Sequence, residues 1–308
     1  MGRYAIKDIK GVIPALVTSF DEKGEFDEAR QRSVVRFLLS RGADGLYLTG
    51  STGEFFMMAP QERERVVAAV ADEVAGRVPV IVHVGAVGTK LSVDLARQAQ
   101  SCGADAISSV PPFYWKFTND EILDYYREIG ESVGLPMIVY NIALSGLVGY
   151  GLIKRLAKLP GVQGIKYTAT SHFEIGRIKE EIGEDFAVYS GADEMAMSGL
   201  AVGADGVIGS FYNMIPELFK DIYAAVRRGD LAAAREKQAQ ANAVIFYSLD
   251  HNYIPVIKRS LSWAGVDAGR CRKPLPYHSE AEAAEIRAAL ARIRDERGIE
   301  GCAVLDAL

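Results

Sequence analysis

The strongest constraint on the fold is an alternation, repeated eight times, of a short apolar run with a longer amphipathic stretch. The runs are nearly continuous in Val, Ile and Leu, which is typical of parallel strands covered on both faces. This pattern predicts an α/β fold, a (β/α)8 TIM barrel, whose chemistry lies at the carboxyl ends of the strands. The competing doubly wound sheet usually carries G-x-G-x-x-G after its first strand, and none follows the first run here. The runs cover residues 12–20, 45–49, 78–85, 106–110, 136–140, 162–166, 186–190 and 206–209.

A short internal repeat agrees with this count of units. Gly-Ala-Asp stands just before an apolar run at 42–44, 103–105 and 203–205. The spacing fits two and then four βα units, and a helix that ends in glycine before a strand produces such a pattern. Chance recurrence of two common residues is the alternative.

After about residue 230 the alternation stops, and three stretches have helical patterns: 231–248, 254–264 and 280–297. We therefore predict a catalytic barrel at 1–229 and a C-terminal helical extension at 230–308 packed on it. Near the amino end, Asp27 is expected to cap a helix at 28–41, and Pro60 to begin another at 60–76. Pro14 lies inside the first run and removes a ladder donor, which is tolerated near a strand's start.

Composition excludes several classes of protein. The 308 residues are 49% hydrophobic with a net charge of −5 and no basic patch, so nucleic-acid binding is not expected. No apolar stretch approaches the length of a membrane span, and the first residues lack the apolar region of a secretory signal. Three separated cysteines and four scattered histidines indicate neither a disulfide framework nor a metal site. We expect a cytoplasmic protein without metal or cofactor, in which His83 is a satisfied core residue.

Three groups at the predicted strand ends can carry chemistry. In Gly-Ser-Thr-Gly-Glu at 50–54, two glycines flank two hydroxyls, a turn that can bind a carboxylate or single phosphate. Lys166 ends the sixth run, where poor solvation would lower its pKa and produce an amine nucleophile. Tyr140 ends the fifth run, where a phenol can relay protons. The alternatives are a plain capped turn, a snorkelling or ion-paired lysine, and a tyrosine that only packs.

Further polar side chains follow other runs. Asp193 and Glu194 follow the seventh run and Ser210 follows the eighth, and together they could hold a polyhydroxylated substrate tail. Helix capping by Asp193 explains its position equally well. Tyr114 lies in the aromatic cluster Phe113-Tyr114-Trp115 after the fourth run, where interface packing is as reasonable as chemistry.

These motifs together resemble the dihydrodipicolinate synthase and N-acetylneuraminate lyase family. The resemblance rests on G-S-T-G-E at 50–54, Y-N at 140–141 and G-I-K-Y-T at 164–168, and it extends from residue 11 to residue 274. Members of this family are class I aldolases that form a Schiff base with pyruvate and need no cofactor. The resemblance therefore implies an enzyme, a carbon–carbon lyase.

The resemblance also implies roles for individual residues. Lys166 resembles the Schiff-base lysine, and Tyr140 the tyrosine that moves protons with help from the substrate's carboxylate. Ser51 and Thr52 match the pair that binds this carboxylate. Tyr114 resembles an aromatic residue that reaches into the site of a neighbouring subunit, which implies a homotetramer. The positions matching those that hold the sugar-derived tail are Thr168, Gly191, Asp193, Glu194 and Ser210.

Within the family the chain is most similar to the N-acetylneuraminate lyase branch. Dihydrodipicolinate synthases place an arginine shortly after this tyrosine, and residues 142–146 contain none. The lyase branch usually reads Y-N-I-P-x-x-S/T-G, whereas this chain lacks the proline and is one residue shorter, a departure in the loop that frames the pocket.

The expected reaction is reversible cleavage of N-acetylneuraminate to N-acetylmannosamine and pyruvate. Its alternatives are an aldolase or dehydratase for another sugar acid such as 2-keto-3-deoxygluconate, dihydrodipicolinate synthase, and a non-catalytic member that binds a keto acid.

Overall fold

Eight parallel strands form a barrel in the computed structural model, which describes residues 3–308. Each strand pairs with its neighbours in chain order, and β1 pairs with β8. Between β1 and β2 the closure consists of a single bridge, in which the Leu16 amide donates to the Tyr47 carbonyl over 2.9 Å. The fold predicted from the apolar runs is therefore confirmed. The strands are β1 (Gly11–Pro14), β2 (Leu46–Leu48), β3 (Val80–His83), β4 (Ala106–Ser109), β5 (Met137–Ile142), β6 (Val162–Thr168), β7 (Ala187–Ser190) and β8 (Gly206–Gly209).

Helices follow the strands and surround them. The Asp27 carboxylate accepts from the Arg30 amide and caps the first helix, and Pro60 begins the second, as predicted. Both helices end one or two residues earlier than their patterns indicated. The barrel helices are α1 (Glu28–Ser40), α2 (Pro60–Val74), α3 (Thr89–Ser101), α4 (Asn119–Glu131), α5 (Tyr150–Leu156), α6 (Phe173–Ile182), α7 (Ala196–Ala201) and α8 (Pro216–Arg227).

Pro14 is the last residue of β1, not a residue near its start as expected. The Ala15 amide points to β8 and donates to the Gly209 carbonyl over 2.8 Å, whereas the Leu16 amide points to β2. The nitrogen of Pro14 therefore faces β2, where the ladder begins only at Leu16. Because no bond is lost there, a residue without an N–H group is tolerated.

The chain continues into further helices after α8. They are α9 (Leu231–Leu249), α10 (Tyr253–Trp263), α11 (Glu280–Arg297) and α12 (Ala303–Asp306). Helix α9 packs on α7 and α8, and α10 contacts the segment that follows β8. The division at 229/230 stays a prediction; it lies in the turn between α8 and α9. Among the helices of residues 3–308, none is long and apolar enough to cross a membrane.

Buried apolar side chains form two layers, one between the strands and the surrounding helices and one inside the barrel. Because side chains alternate along a strand, every second residue points inward. The inner layer includes Tyr47, Tyr140 and Tyr189, one each from β2, β5 and β7. Tyr140 and Tyr189 are the register partners of Lys166, so the lysine lies among aromatic rings.

Candidate active site

Lys166 and Tyr140 lie side by side on adjacent strands. They are register partners in the β5–β6 pair, and the Lys166 Nζ atom is 4.2 Å from the centre of the Tyr140 ring. The same ammonium nitrogen lies 4.6 Å from the centre of the Tyr47 ring. The structure thus brings the predicted nucleophile and the predicted proton relay into contact.

Burial changes the acid–base properties of Lys166. Its side chain is only 3% exposed, and the loss of solvation lowers its pKa to about 7. The carboxylate of Asp193 opposes this change by favouring the ammonium form. At neutral pH a substantial fraction of the amine is therefore unprotonated and nucleophilic.

Burial acts on Tyr140 in the opposite direction. Desolvation raises its pKa to about 12, and Asp193 adds to the rise, while the hydroxyls of Ser51 and Thr168 oppose it. The phenol therefore keeps its proton at neutral pH. It can move a proton only as a relay, donating to one partner as it accepts from another.

The 50–54 turn forms one side of the site. It is closed by two backbone hydrogen bonds, from the Glu54 amide to the Ser51 carbonyl over 3.0 Å and from the Phe55 amide to the Gly50 carbonyl over 3.3 Å. The Thr52 and Ser210 hydroxyls are 2.7 Å apart, so the turn contacts the segment after β8. Hydroxyls and amide groups close to Tyr140 suit a carboxylate of the substrate.

Gly191 lies where β6 and β7 end. A Cβ atom at this position would be 1.9 Å from the Thr168 hydroxyl oxygen and 3.0 Å from Cε of Lys166. Any side chain would therefore displace Thr168 and press on Lys166. Within residues 3–308 the buried Oγ1 atom of Thr168 forms no hydrogen bond, although it lies near enough to the Tyr140 phenol to oppose the rise in the pKa of that group.

Asp193 is buried beside Lys166. Desolvation raises its pKa to about 7, and one carboxylate oxygen accepts from the Phe211 amide over 2.8 Å. Gly209 permits this position, because a Cβ atom there would be 1.9 Å from Oδ1 of Asp193. Glu194 is exposed, and its carbonyl accepts from Asn242 on α9. Asp193 thus binds a backbone amide within the site instead of capping a long helix.

The loop after Tyr140, one residue short against the lyase pattern, is closed by Asn141. Its side chain accepts from the Val148 amide over 2.9 Å and donates to the Val148 carbonyl over 3.2 Å. The loop between them leaves Leu144 81% exposed. The shortened loop is therefore held at both ends.

Tyr114 lies on the loop after β4 and points into solvent. It is 97% exposed, and its backbone adopts a φ of +80°, a strained conformation for tyrosine. Nothing in the described chain accounts for this exposure.

His83 is a satisfied core residue, as predicted. It is fully buried, its Nδ1 atom lies 2.9 Å from the Thr49 carbonyl, and its Nε2 atom accepts from the Val110 amide over 3.3 Å. These bonds define a neutral imidazole with the proton on Nδ1, and burial lowers its pKa well below the usual value.

Sequence reasoning missed Tyr47 and Tyr253. Tyr47 lies inside the β2 run, where the apolar pattern does not distinguish a functional inward-facing residue from one that only packs. Tyr253 begins α10, yet it lies near Tyr140, Asp193 and Ser210: burial raises its pKa to about 12, the first two add to the rise, and the Ser210 hydroxyl opposes it. No strand end precedes Tyr253, so only the packing of α10 reveals it.

Comparisons with known proteins cover nearly the whole chain. The model of the dihydrodipicolinate synthetase family matches residues 8–293. The N-acetylneuraminate lyase of Citrobacter koseri is 41% identical over 296 residues, which cover 95% of this chain and 99% of that protein. Among solved structures, CdNal from Clostridium difficile in complex with mannosamine has a TM-score of 0.89 at 33% identity, over 92% of this chain and 98% of that one. A catalytic lysine mutant of the Ruminococcus gnavus sialic acid aldolase has a TM-score of 0.90 at 29% identity, over 97% and 99%.

Proposed function

The chain belongs to the dihydrodipicolinate synthetase family, and we propose that it is a Schiff-base (class I) aldolase that reversibly cleaves N-acetylneuraminate to N-acetylmannosamine and pyruvate. The observation that carries the proposal is a buried Lys166, with a pKa of about 7, in contact with Tyr140 at the carboxyl ends of adjacent strands. The N-acetylneuraminate lyase and sialic acid aldolase relatives support the choice of substrate.

The reaction begins at Lys166. Its neutral amine attacks the C2 ketone of the open-chain sugar, and loss of water gives a protonated imine. The 50–54 turn binds the neighbouring carboxylate through Ser51 and Thr52, which orients C2 toward the amine. Donors that are already in place need no reorganisation during the reaction.

Carbon–carbon cleavage requires loss of the proton on the C4 hydroxyl. Tyr140 accepts this proton while its own proton passes to the substrate carboxylate, as a phenol with a pKa of about 12 requires. The C3–C4 electrons move into the imine and leave an enamine, and N-acetylmannosamine departs as the aldehyde. Protonation of C3 and hydrolysis then release pyruvate and restore Lys166.

The remaining polar groups bind the tail of the substrate. Asp193 lies close to Tyr140, the Ser210 hydroxyl lies beside that of Thr52, and Gly191 leaves room for a chain of carbon atoms beside Thr168. Glu194 is exposed at the same edge and reaches the outer hydroxyls. All steps use groups of the chain and of the substrate, so the proposal requires no cofactor.

For the assembly, the proposal is a homotetramer in which Tyr114 enters the site of a neighbouring subunit. The almost complete exposure of Tyr114 and its strained backbone support this role. For the location, the proposal is the cytoplasm, and the three free cysteines are compatible with its reducing conditions.

The test is release of pyruvate from N-acetylneuraminate, followed by coupling to NADH-dependent lactate dehydrogenase. We expect Lys166→Ala to abolish both this release and the trapping of pyruvate on the protein by borohydride. Tyr140→Phe should lower kcat by about 10²- to 10⁴-fold yet still trap pyruvate. A trapped adduct on the Lys166→Ala protein would refute the assignment. Faster cleavage of 2-keto-3-deoxygluconate than of N-acetylneuraminate would indicate that the substrate is another sugar acid and not N-acetylneuraminate.

A further inference from the structure

An ion pair joins the 50–54 turn to the C-terminal helices. The Glu54 carboxylate and the Lys258 ammonium on α10 are 2.5 Å apart, and both side chains are completely buried. The second carboxylate oxygen of Glu54 accepts from the Arg272 amide over 2.8 Å. The ammonium also donates to the Arg270 carbonyl over 2.7 Å. Two separate segments of the C-terminal region therefore hold one carboxylate of the turn.

The backbone of Glu54 is under strain. Its φ of +59° lies in the left-handed region, which a residue other than glycine adopts only when its surroundings impose it. The Glu54 amide donates to the Ser51 carbonyl within the same turn. Any rotation of Glu54 is therefore passed directly to Ser51, one of the two residues proposed to bind the substrate carboxylate.

Stability alone is a poor reason for this pair. Moving two charges out of water costs several kcal/mol for each ion, and apolar replacements of buried pairs are often neutral or stabilising. The pair instead fixes the orientation of the turn. Each oxygen of the Glu54 carboxylate is bound by a different group of the C-terminal region, so the turn cannot rotate without breaking one of these contacts. Accurate placement of groups that hold a reacting substrate is worth large factors in rate.

We propose that Lys258 is a positioning residue, which acts through Glu54 to hold the 50–54 turn in the conformation that binds the carboxylate of the keto acid. The inference rests on the proposed function, because it assumes that this turn binds that carboxylate. It makes the C-terminal region part of the substrate-binding apparatus, although Lys258 itself touches no substrate.

The experiment is the concentration dependence of borohydride trapping, with pyruvate and with its methyl ester as probes. In Lys258→Met we expect the half-saturating pyruvate concentration to rise about tenfold, with the rate at saturation nearly unchanged. Methyl pyruvate has the same ketone without a carboxylate, so its half-saturating concentration should not change. A merely structural role of Lys258 would affect both probes alike, and that result would overturn the inference.

Lys179→Met is the matched control. The Lys179 ammonium is also buried and lies 3.0 Å from the carboxylate of Asp205, far from the 50–54 turn and on the amino-terminal side of the strands. This variant loses a similar ion pair and should keep the half-saturating pyruvate concentration of the unchanged protein. An equal rise in both lysine variants would overturn the inference.

If Lys258→Met fails to fold, the double variant Glu54→Gln/Lys258→Met removes both charges and leaves no unpaired ion. The same loss of pyruvate affinity, without loss for the ester, is expected there, and unchanged affinity would overturn the inference. Failure of the proposed function has a different signature: the unchanged protein would trap no pyruvate at all.

Discussion

At the scale of single residues, the site depends on two buried ionisable groups that favour each other's charged form. Lys166 loses solvation and becomes a weaker base, and Asp193 loses solvation and becomes a weaker acid. The carboxylate of Asp193 stabilises the Lys166 ammonium and so limits the first effect. Both groups therefore determine the pH above which the amine of Lys166 is unprotonated and nucleophilic.

This coupling predicts the pH dependence of imine formation. The rate with pyruvate should fall on the acidic side of about pH 7, where Lys166 becomes protonated. Asp193→Asn removes the charge that favours the ammonium, so the pKa of Lys166 decreases. The fall in the rate at acidic pH should then occur at a lower pH. The measurement is the trapping rate with pyruvate, which lacks the tail that Asp193 is proposed to bind.

Asp185→Asn serves as a control, because Asp185 is exposed and precedes β7 at the opposite end of the strands. The pH dependence of its trapping rate should match that of the wild-type protein. If the trapping rate of Asp193→Asn fell at the same acidic pH as that of the wild-type protein, Asp193 would not influence the pKa of Lys166.

At the scale of secondary structure elements, the Gly-Ala-Asp repeat proves to be a recurring connection between strands. Each aspartate precedes an even-numbered strand, its amide donates to the carbonyl of a valine on the preceding strand, and its carboxylate accepts from the amide of that same valine. A fourth Gly-Ala-Asp, at 191–193, follows β7 and does not form this connection, so the shared contacts define the connection and the tripeptide alone does not. The pairs are Asp44 with Val12, Asp105 with Val80, and Asp205 with Val188.

The connection predicts a measurable contribution to stability. Asp105 is 1% exposed, and Asp105→Ala would leave the Val80 amide buried without its acceptor. We expect the free energy of unfolding in urea to fall by about 1–3 kcal/mol. Because this end of the barrel is far from Lys166, the half-saturating pyruvate concentration should not change.

Asp124→Ala is a suitable comparison, because this aspartate is exposed on α4 and pairs with Arg127 on the same helix. Its unfolding free energy should stay within about 0.5 kcal/mol of the unchanged protein. Equal stability of the Asp105 and Asp124 variants would contradict the structural role of the repeat.

At the scale of the whole molecule, one side of the barrel mouth is unusually apolar. Large apolar side chains are exposed on the loops after β2, β4 and β5, and the ring of Phe55 connects Phe56 to Phe113. Exposed apolar surface of this kind marks contacts with other proteins. The exposed residues are Phe56, Tyr114, Trp115, Leu144 and Leu147.

The proposed tetramer predicts that a charge at this surface dissociates the assembly. Trp115 is 73% exposed, and Trp115→Glu would place a carboxylate in the proposed contact. We expect a smaller particle by light scattering and a large loss of turnover, since Tyr114 would no longer enter a neighbouring site. Phe246→Glu changes an exposed aromatic residue on α9 instead and should keep the particle mass. An unchanged mass in Trp115→Glu would exclude this surface as the contact.

Much of the fold and of the site could be predicted from local sequence patterns. Strand and helix periods are properties of neighbouring residues, so the eight apolar runs predicted the eight strands. Parallel strands in a barrel bring their carboxyl ends together, which is why Lys166, Tyr140 and Ser51 could be predicted from the sequence to share one site.

The tertiary structure decided what depends on contacts between distant segments. Lys258 lies 204 residues from Glu54, and the packing of α10 on the barrel, not a periodic pattern, places it there. Tyr253 reaches the site for the same reason. The low pKa of Lys166 is likewise a tertiary property, because it comes from burial of the amine beside Tyr47 and Tyr140 on other strands, while Asp193 limits the decrease. The sequence by itself determined which groups could react, and packing determined their protonation and what holds them in place.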